Sequence, residues 1–88
     1  MESKAERHIA DYGNLLLEIS SRITEEKREF EFVVTDKVDG FTCWIGTASD
    51  LATAQSCAIS EGQLFLDPHM ASPRAPEWRS DAKPGIGI

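Results

Sequence analysis

The dipeptide Asp39-Gly40 lies between two stretches rich in apolar residues, Phe30 to Val38 and Phe41 to Thr47. Asp-Gly suits the positive φ angles of a two-residue type I′ turn, which joins antiparallel strands. Such a turn sets a register in which Val38 faces Phe41, and alternate residues then share one face. The residues of this predicted apolar face are Phe30, Phe32, Val34, Val38, Phe41, Cys43 and Ile45, with Asp36 as the polar exception. The sequence therefore predicts a β-hairpin at the centre of the fold.

The other side of the predicted hairpin is mixed in character and has a tryptophan near its centre. In the same register this side holds Trp44, with Val33, Thr35 and Lys37 around it. An indole on an exposed sheet face is typical of the residues that dominate protein interfaces. The alternative is that a helix or the C-terminal segment covers this side, which would make Trp44 a core residue. We take Trp44, Val33, Thr35 and Lys37 as candidate interaction residues.

The first part of the chain, residues 3–24, has an apolar repeat with helical spacing. Its members, separated by alternating steps of four and three, are Ala5, Ile9, Tyr12, Leu16, Ile19 and Ile23. This spacing predicts an amphipathic helix with one apolar stripe. The stripe would pack on the sheet or, because it also fits heptad a and d positions, form the seam of a two-helix dimer.

A second helix is predicted after the hairpin. Ser49 suits the N-cap position, and Asp50 in the first turn favours the helix dipole. A stripe that allows close approach to the sheet follows, made of Leu51, Ala54 and Ala58. The end of this helix stays open between two alternatives. The helix either continues to Asp67-Pro68 or stops at Gly62, which would leave residues 63–66 as a short third strand.

These elements together predict an α+β fold. It consists of an N-terminal amphipathic helix, an antiparallel hairpin with or without the third strand, a second helix and an irregular tail. The domain is expected to span residues 1–66 and the tail residues 67–88. All four prolines of the chain lie in this tail and disfavour regular structure there. Trp78 also lies in the tail, and we expect its indole to dock on the protein's own sheet or on a second subunit.

The balance of charge bears on the class of partner. Fifteen acidic residues oppose nine basic ones, which gives a net charge of −6. A surface that binds phosphates needs clustered Lys and Arg, so this balance disfavours direct binding of nucleic acid. It favours a protein partner with a basic surface. No apolar stretch approaches the roughly 20 residues that span a bilayer, and the charged N-terminus does not resemble a secretory signal. These features predict a cytoplasmic protein.

No set of residues in the sequence indicates catalysis or metal binding. Cys43 and Cys57 do not have the spacing of a metal or redox motif, and we expect free thiols that fill the core. His8 and His69 are the two imidazoles, and neither is accompanied by the acid or nucleophile of a known motif. The sequence therefore predicts a protein without enzymatic activity, cofactor or metal.

The preferred function is that of a small acidic protein-interaction module. It would act as a regulator, inhibitor or accessory subunit, with a phage or mobile-element inhibitor among the candidates, and would form a homodimer. One alternative is a nucleic-acid-binding ββα-type module. Its contacts would come from one of two basic clusters, Lys4 with Arg7 and His8, or Arg22 with Lys27 and Arg28. A further alternative is a small-ligand binder or enzyme with a pocket between helix and sheet.

A short part of the chain resembles the HicB-like antitoxin family. The resemblance rests on Gly40-Phe41-Thr42 and on the step from Gly46 through Ser49-Asp50 into an alanine-bearing helix. The long predicted N-terminal helix departs from that family, whose fold opens with a strand. No functional residue is therefore carried over from it.

Overall fold

A computed structural model of the protein describes residues 6–24, 27–69 and 73–80. These residues form a five-stranded antiparallel sheet with one helix on one face. The elements are β1 (Arg7–Tyr12), β2 (Leu15–Thr24), β3 (Lys27–Asp36), β4 (Phe41–Ala48), α1 (Leu51–Gln63) and β5 (Arg79–Ser80). The order of the strands is β4-β3-β2-β1-β5, so β4 and β5 are the two edges of the sheet. The helix α1 is too short and too polar to cross a membrane.

The predicted N-terminal helix over residues 3–24 is wrong. Residues 7–24 form β1 and β2, joined at Gly13, whose φ of 60° suits a tight turn; residues 3–5 lie outside the described residues. Leu15, Leu17 and Ile19 are all fully buried, which is the alternation of a strand and not the spacing of a helix. The residues of the predicted helical stripe lie on both faces of the sheet. Tyr12 and Ile19 are on the core side, and Ile9 and Leu16 are on the side away from the core.

The predicted hairpin is present as β3 and β4, but its predicted register is wrong. Asp36, and not Val38, pairs with Phe41, and a bulge at Cys43 then places Trp44 opposite Val34. The cause is the side chain of Asp36, whose Oδ1 accepts a hydrogen bond from the Val38 amide at 2.9 Å. The Gly40 amide also donates to the Asp36 carbonyl at 2.7 Å. A four-residue turn over residues 37–40 therefore replaces the two-residue turn.

The core lies between α1 and one face of the sheet. Its buried apolar residues are Ala10, Tyr12, Leu15, Leu17, Ile19, Phe30, Phe32, Val34, Ala54 and Ala58. The buried residues of α1 are all small, namely Ala54, Ala58 and Gly62. A Cβ at Gly62 would lie 3.4 Å from the Leu15 side chain, so the helix axis sits close above the sheet. The half-buried thiols of Cys43 and Cys57 are free and pack against this core.

Both predicted ends of the helix after the hairpin need correction. The N-cap is Asp50 and not Ser49, because Asp50 Oδ1 accepts a hydrogen bond from the Thr53 amide at 2.7 Å. The helix ends at Gln63, so it does not continue to Asp67-Pro68, and residues 63–66 do not form a strand. The buried Asn14 explains this end, since its Oδ1 accepts a hydrogen bond from the Asp67 amide at 2.9 Å. This contact holds the chain after α1 against the β1–β2 turn.

The described part of the tail returns to the sheet. Residues 73–78 have no regular structure, and β5 then pairs with β1 through His8 opposite Ser80 and Ile9 opposite Arg79. Trp78 is half-buried and packs against the core. The tail was predicted to be irregular throughout, whereas a short edge strand closes the sheet on this side.

Candidate protein-interaction surface

The five candidate interaction residues do not form one surface. Val33 and Thr35 lie on the face of the sheet away from α1, which we call the helix-free face. Lys37 lies in the exposed turn after β3. Trp44 lies on edge strand β4, on the same side as buried Val34, and Trp78 lies beside the opposite edge. The two-residue turn expected from Asp39-Gly40 implied a different register, in which Trp44 lies beside Val33.

The helix-free face carries charged residues that pair with one another. Its ion pairs are Arg7–Glu18, Arg22–Glu31 at 3.8 Å, Lys37–Asp11 at 3.0 Å and Arg79–Asp11 at 3.4 Å. The hydrogen bond from Lys37 is the main cause that lowers the pKa of the Asp11 carboxyl below its ordinary value, with Arg79 contributing. Exposed pairs of this kind stabilise a protein by at most about 1 kcal/mol each. Their main effect is that this face offers little uncompensated charge to a partner.

The edge strand β4 differs from every other strand in having no charged residue. Each of β1, β2, β3 and β5 contains at least one Arg, Lys, Asp or Glu, whereas Phe41–Ala48 contains none. An exposed edge presents unpaired N–H and C=O groups, and most proteins protect it with charged side chains, especially lysine, or with proline. Within the described residues, the bulge at Cys43 is the one protective feature of β4. We call residues 41–48 with their outward backbone groups the β4 edge.

Large apolar side chains are concentrated at this same edge. Six large apolar residues are exposed in the described part of the chain, and four of them belong to β4 or to the turn before it. Their exposed fractions are 81% for Val38, 68% for Phe41, 43% for Trp44 and 57% for Ile45. The register places Phe41 and Trp44 on the helix side of the sheet and Ile45 on the helix-free face. A strand added to this edge would therefore meet apolar side chains on both of its faces.

Acidic side chains stand at both ends of the β4 edge. Asp39 lies in the turn before the strand, and Asp50 follows it at the start of α1. Among the described residues, no lysine or arginine forms an ion pair with either of them. The hydrogen bond from the Thr53 amide lowers the pKa of the Asp50 carboxyl, so this group is ionised at neutral pH. The β4 edge is thus an uncharged strand between two negative ends.

The opposite edge of the sheet borders an open cleft of about 440 Å³. Its lining residues are Asp11, Gly13, Pro73, Arg74, Ala75, Glu77 and Arg79. The Asp11 carboxylate in this cleft is already bound by Lys37 and Arg79. Among its described lining residues there is neither an imidazole nor a thiol, and the charged groups are of both signs.

In the described part of the chain, each histidine has one acidic residue near it and belongs to no metal-binding group. The His8 ring stands 3.5 Å from the Glu6 carboxylate, and His69 is exposed beside Asp67. Over residues 6–24, 27–69 and 73–80, no three His, Cys, Asp or Glu side chains are grouped closely enough to hold a metal ion.

Comparison of the chain with protein-family models, with curated proteins and with solved structures finds no match. The surfaces described above are therefore the basis of the function proposed below. The absence of charge in residues 41–48 could have been read from the sequence. The meaning of this absence was not recognised, because residues 3–24 were interpreted as a helix. The position of β4 at the edge of the sheet follows only when β1 and β2 are known to be strands.

Proposed function

We propose that this protein is a small acidic protein-interaction module without enzymatic activity, acting as a regulator, inhibitor or accessory subunit. Its binding surface is the β4 edge, where a strand of the partner protein is added to the sheet. The observation that carries the proposal is an edge strand that no other described segment pairs on its outer side, that has no charged residue and that displays Phe41, Trp44 and Ile45. Such an edge left in water is a liability that natural proteins usually avoid.

Strand addition would use both the outward backbone groups of this edge and its exposed apolar side chains. The outward N–H and C=O groups of β4 would form main-chain hydrogen bonds with the added strand, which supply affinity. Alternate side chains of that strand would lie beside Trp44 on one face and Ile45 on the other, which supplies selectivity. Trp44 remains the residue expected to contribute most, since a large aromatic side chain at the centre of an interface dominates binding energy.

Nucleic-acid binding is supported by no comparable observation. Of the two basic clusters that would carry it, Arg7 is paired with Glu18 and Arg22 with Glu31. Arg28 stands 5.9 Å from the centre of the Phe30 ring, a cation–π contact. Lys4 lies outside the described residues.

Capture of partners from an extract of the source cells tests the proposed function. The variant Ile45→Lys introduces the charge that protected edges carry, at a position 57% exposed, so the fold should be retained. Leu64→Lys is the matched control, because Leu64 is 75% exposed at the end of α1 and away from the β4 edge. We expect wild type and Leu64→Lys to retain the same protein, identified by mass spectrometry, and Ile45→Lys to lose it. Equal retention by all three proteins would contradict binding at β4.

A further inference from the structure

We propose that the segment bound by the β4 edge is an extended protein strand with an uncharged, apolar middle and Lys or Arg at both ends. This inference rests on the proposed function, since it assumes that β4 accepts a strand. It goes beyond that function by assigning the sequence class of the partner segment.

The length of the edge sets the length of the segment. β4 has eight residues, which at about 3.4 Å per residue gives a strand of about 27 Å. A bound segment of similar length places its two ends beside the acidic ends of β4. Asp39 meets one end of it and Asp50 meets the other. The match is the same for parallel and antiparallel addition, because both ends of β4 are negative.

Charge determines what these ends can accept. The Asp39 and Asp50 carboxylates have no basic partner among the described residues, and the chain carries a net charge of −6. Basic residues at the ends of the bound segment would therefore gain favourable interactions and faster association, and acidic residues would be repelled. A charged residue in the middle would instead stand beside Trp44 or Ile45, where no opposite charge compensates it.

A second copy of the chain fits this edge less well. In an antiparallel β4–β4 pair the Asp39 end of one copy lies beside the Asp50 end of the other. In a parallel pair each acidic end meets its own counterpart. Carboxylates of the two copies therefore lie next to each other in both arrangements. Their repulsion disfavours pairing of two identical chains at this edge. The occupant that the charges favour is a different protein.

Three short peptides test the inference on the full chain, and the first two have about eight residues to match β4. The first has an alternating valine–threonine middle and lysines at both ends. The second has the same middle with glutamates at both ends, and the third copies residues 39–50, which include β4 and both of its acidic ends. Binding is followed by the anisotropy of a fluorescent label on each peptide, at low and at high salt. We expect the lysine-ended peptide to bind at least about tenfold more tightly than either of the others, with an advantage that shrinks as salt rises.

Two single substitutions test whether the acidic residues at the ends of β4 bind the lysine-ended peptide. Asp39→Asn removes one negative charge at an end of β4, and the Asp39 side chain is exposed, so the fold should not change. Glu77→Gln removes one exposed negative charge beside the opposite edge of the sheet and is the matched control. Asp39→Asn should lower the affinity for the lysine-ended peptide by about two- to fivefold, whereas Glu77→Gln should leave that affinity unchanged.

Each other outcome overturns the inference in a recognisable way. Equal binding of lysine-ended and glutamate-ended peptides would remove the requirement for basic ends and leave strand addition intact. Strongest binding of the peptide that copies β4 would identify a second copy as the occupant, and light scattering would then give a dimer. No binding of any peptide, with Ile45→Lys still losing a captured protein, would mean that the partner at β4 is not an extended strand of this class. No binding of any peptide and no loss of capture in Ile45→Lys would overturn the proposed function as well.

Discussion

Leu17→Ala is expected to lower the free energy of unfolding by about 2–5 kcal/mol, the range for deletion of a fully buried leucine side chain. Leu17 is fully buried in β2, a central strand, where it lies between Ala10 on β1 and Val34 on β3. A domain of this size has a total stability of only several kcal/mol. The loss should therefore be evident in urea denaturation followed by circular dichroism.

The adjacent residue is the matched control for this prediction. Leu16 belongs to the same strand but points to the helix-free face, where it is half-buried. Leu16→Ala should therefore cost clearly less than Leu17→Ala. The amphipathic helix indicated by the sequence requires the opposite order, because Leu16 lies on its apolar stripe and Leu17 does not. A larger loss from Leu16→Ala would contradict the β1–β2 hairpin.

The second large effect is expected at Gly46, which faces the ring of Phe32 across the β3–β4 pair. A Cβ at Gly46 would lie 2.4 Å from Phe32 Cζ, a separation that the ring cannot accept without moving. Phe32 is buried in the core, so this movement would disturb the packing under α1. Gly46→Val should therefore destabilise the protein by about 1–3 kcal/mol, as measured by chemical denaturation.

Two further variants separate this clash from other effects of substitution in β4. Thr47→Val introduces the same side chain at the next position, which is exposed, and should change stability by less than about 0.5 kcal/mol. Combining Gly46→Val with Phe32→Leu should cost less than the sum of the single changes, because the smaller side chain removes the clash. Strict additivity of the two changes would show that the ring of Phe32 is not the obstacle.

The sequence was informative about the second half of the sheet and misleading about the first. Asp39-Gly40 between apolar stretches correctly indicated the hairpin of β3 and β4. The helical repeat of residues 3–24 arose because a strand pair with a Gly-Asn turn happened to repeat its apolar residues at steps of three and four. Gly13-Asn14 between alternating apolar residues was itself a hairpin signal.

The interaction site stays a prediction, and the position of Trp44 in the fold depends on long-range contacts. Trp44 was selected because a large aromatic residue on a sheet favours an interface, and the structure leaves it 43% exposed. Its placement beside Val33 was wrong, since the bulge at Cys43 and the turn that starts at Asp36 set a different register. Such a bulge has no local sequence signal. That β4 is an edge also could not be known before β1 and β2 had been recognised as strands.

The measurement that most directly tests strand addition at β4 is hydrogen–deuterium exchange, on the free protein and on its complex with the captured partner. In the free protein, amides of residues 41–48 that do not bond to β3 should exchange rapidly, because water reaches the edge. In the complex the same amides should exchange more slowly by about tenfold or more, while those of β2 change little, since β2 already lies inside the sheet. Protection confined to α1, to β5 or to the Asp11 cleft, with β4 unchanged, would contradict the account.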